Sequence, residues 1–229
     1  MNDQKKIGAH EANIRHYEDR YRSGYGLVYP DGHVIRFHRH ILEYELGLGA
    51  GNILDYGCGT GTHLKYFETN GFTPFGCDIS TTAIEQCKRL IPEYAENFHV
   101  VESVPDLLGN FDVDFDIVFS NQTLYFLNDA GIKDLVAQFH EMLRSGGIFF
   151  ATMMATTNYF SRYTEPTTGD MSKVVLKGRL NQSAYVNFKD RDEILELFKP
   201  FEKLHMGFYS HTIREQEGPT DHYIFVGRK

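Results

Sequence analysis

The chain is poor in cysteine, in basic charge and in long apolar runs, and each shortage narrows what it can be. Cys58, Cys77 and Cys87 are its three cysteines, and none forms a paired C-x-x-C spacing. An odd, unpaired set argues against a disulfide framework or a zinc cage and for a reducing, cytoplasmic setting. Lys and Arg number 23 against 31 Asp and Glu, a formal charge of −8. Phosphate contacts need a basic surface, so general nucleic-acid binding is disfavoured, although a local basic groove stays open. The longest apolar stretch, about Ile148–Ala155, falls far short of the ~20 residues that cross a bilayer. The polar start, Met1 to Lys6, has no apolar run of a signal peptide. Internal repeats and low-complexity tracts are absent too. The expectation is a soluble intracellular protein.

What is present is a globular composition over 229 residues: 41% hydrophobic and 24% charged. A chain of this length buries roughly 70–75% of its unfolded surface and needs no covalent staple. From Asn52 to about Ala151, β-rich runs alternate with helical patterns, the mark of βαβ units around a parallel sheet. Strands are expected at Ile53–Tyr56, Phe72–Cys77 (with Pro74 blurring its start), Asn97–Val101, Asp116–Ser120 and Gly147–Met153. A closing pair follows at Lys203–Tyr209 and His222–Val226. Ser80 caps a helix over Thr81–Leu90, with Thr82-x-x-Glu85 as a second capping pattern. Ile132, Leu135, Val136, Phe139, Met142 and Leu143 recur at helical spacing, with Asn128 before them and Gly146 as the expected stop. Asp190-x-x-Glu193 opens a last helix that Pro200 follows. Helices are also expected at Ala12–Arg22 and Ile35–Leu46. One domain is expected, made of a helical cap (1–49), a core (50–154), a polar insertion (155–188) and a closing helix and strand pair (189–229). An insertion this long serves as a lid or binding segment.

The strongest local signal is Ile53-Leu-Asp55-Tyr-Gly57-Cys-Gly59-Thr-Gly61, a buried strand running into three alternating glycines and then a helix. Glycine permits the tight turn and close approach of a ligand to the backbone, and the helix start offers free N–H groups. A dinucleotide fingerprint wants glycine three residues after its second one, where this chain has Thr62. Asp55 beside the turn suits a ligand with an amino group better than a pyrophosphate. A dehydrogenase is therefore the weakest option.

At these residues the sequence resembles the class I S-adenosylmethionine-dependent methyltransferases. The resemblance spans about 50–229 and rests on five elements in the family's order. It implies an α/β Rossmann-like, doubly wound, mostly parallel seven-stranded sheet with an antiparallel last strand. It makes Asp55-Tyr-Gly57-Cys58-Gly59-Thr-Gly61 the family's first motif, whose glycine loop lies against the methionine part of the cofactor. Asp78, in Gly76-Cys-Asp78-Ile-Ser80, takes the position of the acid that accepts both ribose hydroxyls, and Ile79 that of a residue packing on adenine. Glu102 and Ser103 fall in the segment that meets the adenine amino group, and Asn121-Gln122 at the exit of the fourth strand. S-adenosyl-L-methionine is the implied cofactor and S-adenosyl-L-homocysteine its product.

Asn121-Gln122 replaces the histidine or acids that some family members carry there. Amide side chains are poor hard-cation ligands, so no metal is expected. Tyr17 and Tyr21 share a helix face at i, i+4 and either close over the cofactor or simply anchor the cap. His33, His38 and His40 crowd the next segment, and His33, His38 and Tyr21 are the candidate catalytic groups, with surface histidines as the plain alternative. His205, His211 and His222 read as structural or exposed, with His205 and His211 able to line an acceptor pocket. The cysteines read as packing residues. The expected reaction is methyl transfer to a hydroxyl of a small polar metabolite. Tyr159, Arg162, Tyr163, Lys173, Lys177 and Arg179 suit a sugar, nucleotide-sugar or phosphorylated acceptor of a surface-glycan pathway, to whose methyltransferases the cap bears a loose likeness. An N-methyltransferase acting on a small amine and a non-catalytic S-adenosylmethionine-binding regulatory protein remain alternatives. The partner is a small-molecule acceptor rather than nucleic acid or membrane; the oligomeric state is not legible.

Overall fold

The computed structural model describes residues 8–102, 107–167, 169–176 and 182–229. Its strands are β1 (Gly51–Tyr56), β2 (Phe72–Asp78), β3 (Phe98–Val100), β4 (Phe115–Ser120), β5 (Leu143–Met154), β6 (Thr164–Glu165), β7 (Ser172–Leu176), β8 (Gln182–Val186), β9 (Glu202–Tyr209) and β10 (His222–Arg228). Seven of them form one sheet in the order β3-β2-β1-β4-β5-β10-β9. β1 to β5 run parallel, and β10 is antiparallel to both β5 and β9. This is the doubly wound sheet expected, with the antiparallel strand last in the chain.

The helices are α1 (Ala9–Arg22), α2 (Gly32–Arg36), α3 (Thr62–Glu68), α4 (Thr81–Leu90), α5 (Asp129–Met142) and α6 (Arg191–Leu197). α2 widens into a π-helical stretch over Phe37–Glu45. Central strands buried on both faces need apolar side chains in both directions. Ile53, Ile117, Phe119 and Phe150 accordingly pack with Leu64, Phe67 and Phe37 on one face. Leu54, Val118 and Phe149 pack with Leu135, Val136 and Phe139 of α5 on the other. At roughly 1.5–3 kcal/mol for each such side chain, this double layer holds the strand ends that carry the site.

Several local expectations need correcting. Pro74 lies inside β2, tolerated because β3 pairs with β2 only from Gly76 onward and leaves an edge beside it. Ser80, not Thr82, caps α4, accepting from Ala83 N at 3.1 Å. Asn128 caps α5 through Gly131 N at 2.8 Å, and Asp190 and Glu193 form the full capping box of α6. Gly146 is not the stop of α5. That helix ends at Met142, and Gly146 makes a left-handed bend (φ +76°) inside β5, where the pairing with β4 shifts register. The insertion is not a plain loop: β6, β7 and β8 form a separate antiparallel sheet, and β8 packs on α1. Its polarity hid an alternating pattern, since Val174, Leu176 and Val186 are buried. Among the described residues, no helix is long and apolar enough to cross a membrane.

Candidate active site

A cavity of about 530 Å³ opens at the carboxyl ends of β1, β2 and β4, where the strand order reverses between β1 and β4. That switch point is where open α/β sheets hold ligands. Its floor is the glycine turn. Gly57 and Gly59 adopt φ +81° and +53°, a region that L side chains avoid. A methyl group on Gly57 would stand 2.2 Å from Thr123 Oγ1, and one on Gly59 2.7 Å from the Tyr21 hydroxyl. Gly57, Cys58 and Gly59 line the cavity, whereas Gly61 turns under it, against Cys87, and starts α3.

Asp78 lines the same cavity from the end of β2. Its Oδ2 accepts from Gly59 N and its Oδ1 from Ser80 N, both at 2.9 Å. Burial pushes its carboxyl up to about 6 against the pull of the N–H groups of Ser80, Gly59 and Ile79. The carboxylate keeps acceptor capacity for a further donor. Asp55 sits beneath, at the end of neighbouring β1, and does not line the cavity. Neither of its carboxylate oxygens has a hydrogen-bond partner in the fold. Burial, and then the charge of Asp78, raises its pKa well above the usual carboxylate range. A buried carboxyl without partners costs about 1–3 kcal/mol or more, a strain that functional sites retain.

α1 roofs this half of the cavity. Tyr17, Arg20 and Tyr21 face inward, with the Arg20 guanidinium 3.6 Å above the Tyr25 ring. Arg20 is the single Lys or Arg among the described lining residues. Two clasps hold the helix. Glu18 accepts from the hydroxyls of Ser80 and Thr82 at the start of α4. Asn13 pairs with the Tyr185 backbone in β8, accepting at 2.9 Å and donating at 3.0 Å. Both were missed in sequence. A lone Glu or Asn on an amphipathic helix signals nothing until its partners, 62 and 172 residues away, are placed beside it.

The opposite half is walled by Asp31, His63, Asn121, Gln122, Tyr209 and His222, among others. Gln122 is the one described non-glycine residue with positive φ, +57°, and its N–H donates to Thr152 Oγ1 at 2.7 Å. That bend sends the side chain towards Asp31, whose Oδ2 takes hydrogen bonds from Asn121 Nδ2 (3.1 Å) and Gln122 Nε2 (3.3 Å). Burial raises the Asp31 carboxyl, but His63, His33 and Asn121 together outweigh it, and the net shift is downward.

Not every expected site residue converges here. Tyr17, Tyr21, Gly57, Cys58, Gly59, Asp78, Ile79, Asn121 and Gln122 line the cavity; Val101 does so in place of the exposed Glu102. Ser103 lies outside the described residues, as do Lys177 and Arg179. His38 is fully buried among Tyr66, Phe67 and Phe72, bonded to Tyr66 Oη at 2.8 Å, and does not reach the cavity. It is a core histidine, because the π-helical turn points it inward. His33 braces rather than lines the site: its Nε2 lies 2.8 Å from Asn121 Oδ1. The Asn121 amide nitrogen is already committed to Asp31, so that oxygen accepts and His33 Nε2 carries the proton. Burial raises the Tyr21 phenol above its ordinary value, leaving it a donor and no base. His205 pairs with Glu45 at 2.8 Å, away from the cavity. Arg162 and Lys173 do not line it either. Among the described residues no group of His, Cys, Asp and Glu could hold a metal.

A Rossmann-like sheet with a glycine turn and an acid at the ends of its first two strands is a fold that this chain shares with solved S-adenosylmethionine-dependent methyltransferases. Residues 53–147 match the family model described as "Methyltransferase domain". Similar sequences include a malonyl-[acyl-carrier protein] O-methyltransferase of Hamiltonella defensa, 29% identical over 45% of this chain and 38% of that protein. An uncharacterised methyltransferase of Bacillus cytotoxicus is 26% identical over 66% of this chain and 69% of its own length. The chain spans well under half the length of the first curated relatives it matches. Among solved structures, an S-adenosylmethionine-dependent methyltransferase of Clostridium acetobutylicum superposes with TM-score 0.65 at 12% identity, covering 94% of this chain and 97% of that one. The 1,6-didemethyltoxoflavin-N1-methyltransferase of Burkholderia thailandensis, solved with bound 1,6-didemethyltoxoflavin and S-adenosylhomocysteine, superposes with TM-score 0.62 at 18% identity, covering 100% of this chain and 93% of that one. S-adenosylmethionine is the methyl donor of this class.

Proposed function

We propose that this protein transfers the methyl group of S-adenosylmethionine to a hydroxyl of a small, polar, uncharged acceptor. When bound, the donor supplies a methyl group on a positively charged sulfur, already activated, so the protein's work is to position the acceptor and exclude water. Asp78 receives the ribose hydroxyls, Ile79 and Val101 flank adenine, and the turn Gly57–Gly59 lies against the methionine part. Arg20, which lines the cavity, suits the carboxylate of that part, and Asp55 lies under the turn that holds it without facing the cavity. Tyr17 and Tyr21 close over it from α1.

The carrying observation is the pairing of a partnerless buried carboxyl under the glycine turn with Asp78 on the cavity wall. The acceptor half supports the hydroxyl reading through its histidines, amides and tyrosines. Among the described residues that half has no lysine or arginine, which supports an uncharged acceptor over the phosphorylated or nucleotide-sugar compounds suggested by the insertion's composition. The acyl-carrier relative matches over 103 residues only and carries no weight on the acceptor. A second reading, N-methylation of a flat heterocycle, draws support from the aromatic walls Tyr125, Tyr159 and Phe160 and from the toxoflavin-type neighbour. Calorimetry with S-adenosylhomocysteine tests the donor site, and absence of binding refutes the proposal. Product mass spectrometry on panels of neutral hydroxyl and ring N–H acceptors separates the two readings.

A further inference from the structure

We propose that His222, at the start of β10, is the base that takes the acceptor's proton, an inference that rests on the methyl-transfer reading above. His222 lines the same cavity as Asp78 and Gly59 and is 6% exposed. Its Nδ1 lies 3.3 Å from the Thr220 carbonyl oxygen. A carbonyl oxygen only accepts, so Nδ1 holds the proton and Nε2 bears the lone pair. Nε2 is buried with no partner in the fold. A buried lone pair without a donor, on a ring that lines a polar cavity, is what an incoming hydroxyl would satisfy.

The other histidines facing this half are committed or exposed. His33 Nε2 is spent on Asn121, and His63 Nε2 lies 3.4 Å from both Asp31 N and Asp31 Oδ2. His211 is exposed. The His222 ring is held still: it stacks on Tyr209, its cross-strand partner, at 4.9 Å and 8°, and Tyr209 stacks on His33 at 4.2 Å and 12°. Tyr125 packs against it at 5.6 Å.

In the transfer step the acceptor oxygen bonds to the methyl carbon, the methyl–sulfur bond breaks with its electron pair remaining on sulfur, and the hydroxyl proton passes to Nε2. His222 then releases that proton to solvent. Burial, with smaller contributions from His33 and His211, lowers its pKa to about 4 against the upward pull of the Thr220 carbonyl and Asp221. The free protein thus keeps His222 neutral and ready to accept through the physiological range, and the proton it takes up is easily lost.

The test is imidazole nitrogen NMR on the full chain labelled with 15N-histidine, at pH 7, first alone and then with S-adenosylhomocysteine and increasing phenol as a neutral hydroxyl probe. His222→Asn identifies the resonance by its loss, with His222→Phe as the second variant if the first does not fold. The expected result is the Nδ1–H tautomer with unprotonated Nε2, and a phenol-dependent upfield shift of Nε2 that other histidines do not share. A protonated Nε2, an imidazolium at pH 7, or an Nε2 signal that phenol never moves overturns the proposal. S-adenosylhomocysteine binding is followed by calorimetry in parallel. Its failure would sink the donor reading while the tautomer result still stood on its own.

Discussion

Replacing Asp78 by Asn separates the carboxylate's effect on folding from its effect on binding. Asp78 is raised from 3.8 to about 6 by burial, and at 1.36 kcal/mol per pH unit this amounts to about 3 kcal/mol. An acid raised in the fold holds its proton longer there than in the unfolded chain. The sign follows: its contribution is most favourable below the unfolded value and is lost as pH rises from about 4 to about 6. Above that range the fold carries a buried charge held by the N–H groups of Gly59 and Ser80. Asparagine removes the charge but offers one carbonyl oxygen for two donors, so one charge-assisted hydrogen bond of about 1.5–3 kcal/mol is lost. The two effects nearly cancel at neutral pH, and the ligand-free variant should melt within a few degrees of the wild type. Between about pH 4 and pH 7 the stability difference should move by about 3 kcal/mol in the variant's favour. S-adenosylhomocysteine affinity should fall at least tenfold, about 1.4 kcal/mol, because a ribose hydroxyl loses a charged acceptor. Urea unfolding across pH reads the first quantity and calorimetry the second. A variant that loses the pH slope yet binds S-adenosylhomocysteine like the wild type would refute the ribose role.

Three further outcomes follow from named contacts. Gly57→Ala should destabilise by about 2 kcal/mol or more and abolish S-adenosylhomocysteine binding, since a left-handed L residue alone costs about 1–2 kcal/mol and its Cβ meets Thr123 Oγ1 at 2.2 Å; urea melts and calorimetry measure both, and a wild-type melt would contradict the clash. Glu18→Ala removes the hydrogen bonds from Ser80 and Thr82. Hydrogen exchange across α1 should quicken about tenfold, the equivalent of ~1.4 kcal/mol, with core strands unchanged; unaltered α1 exchange would show that the latch contributes nothing. Arg20→Ala should weaken S-adenosylhomocysteine about tenfold and leave 5′-methylthioadenosine, which lacks the amino-acid end, unaffected; equal losses for both ligands would place Arg20 elsewhere.

Local chemistry made much of this protein legible before any coordinates. The alternation of β runs with amphipathic stretches, the bend Gly57–Gly61 and the acids Asp55 and Asp78 are short-range patterns, because turns, caps and strand periodicity depend on neighbours in the chain. They set the sheet, and they bring the glycine turn and Asp78 to one end of the cavity. What the sequence left open depends on residues far apart in the chain. His38 and His33 look alike in one segment, yet the π-helical turn buries the first in the core and the contact with Asn121 spends the second. The polar run 155–188 reads as a loop until β7 and β8 pair and bury Val174 and Val186. Glu18 gains a role only when α1 lies across α4. His222 reads as a structural residue because its distinguishing feature, a buried ring nitrogen without a partner on a side chain that lines the cavity, is created only when β9 and β10 pair beside the glycine turn. Periodicity is written within a few residues; burial and partnership are decided only when distant segments pack.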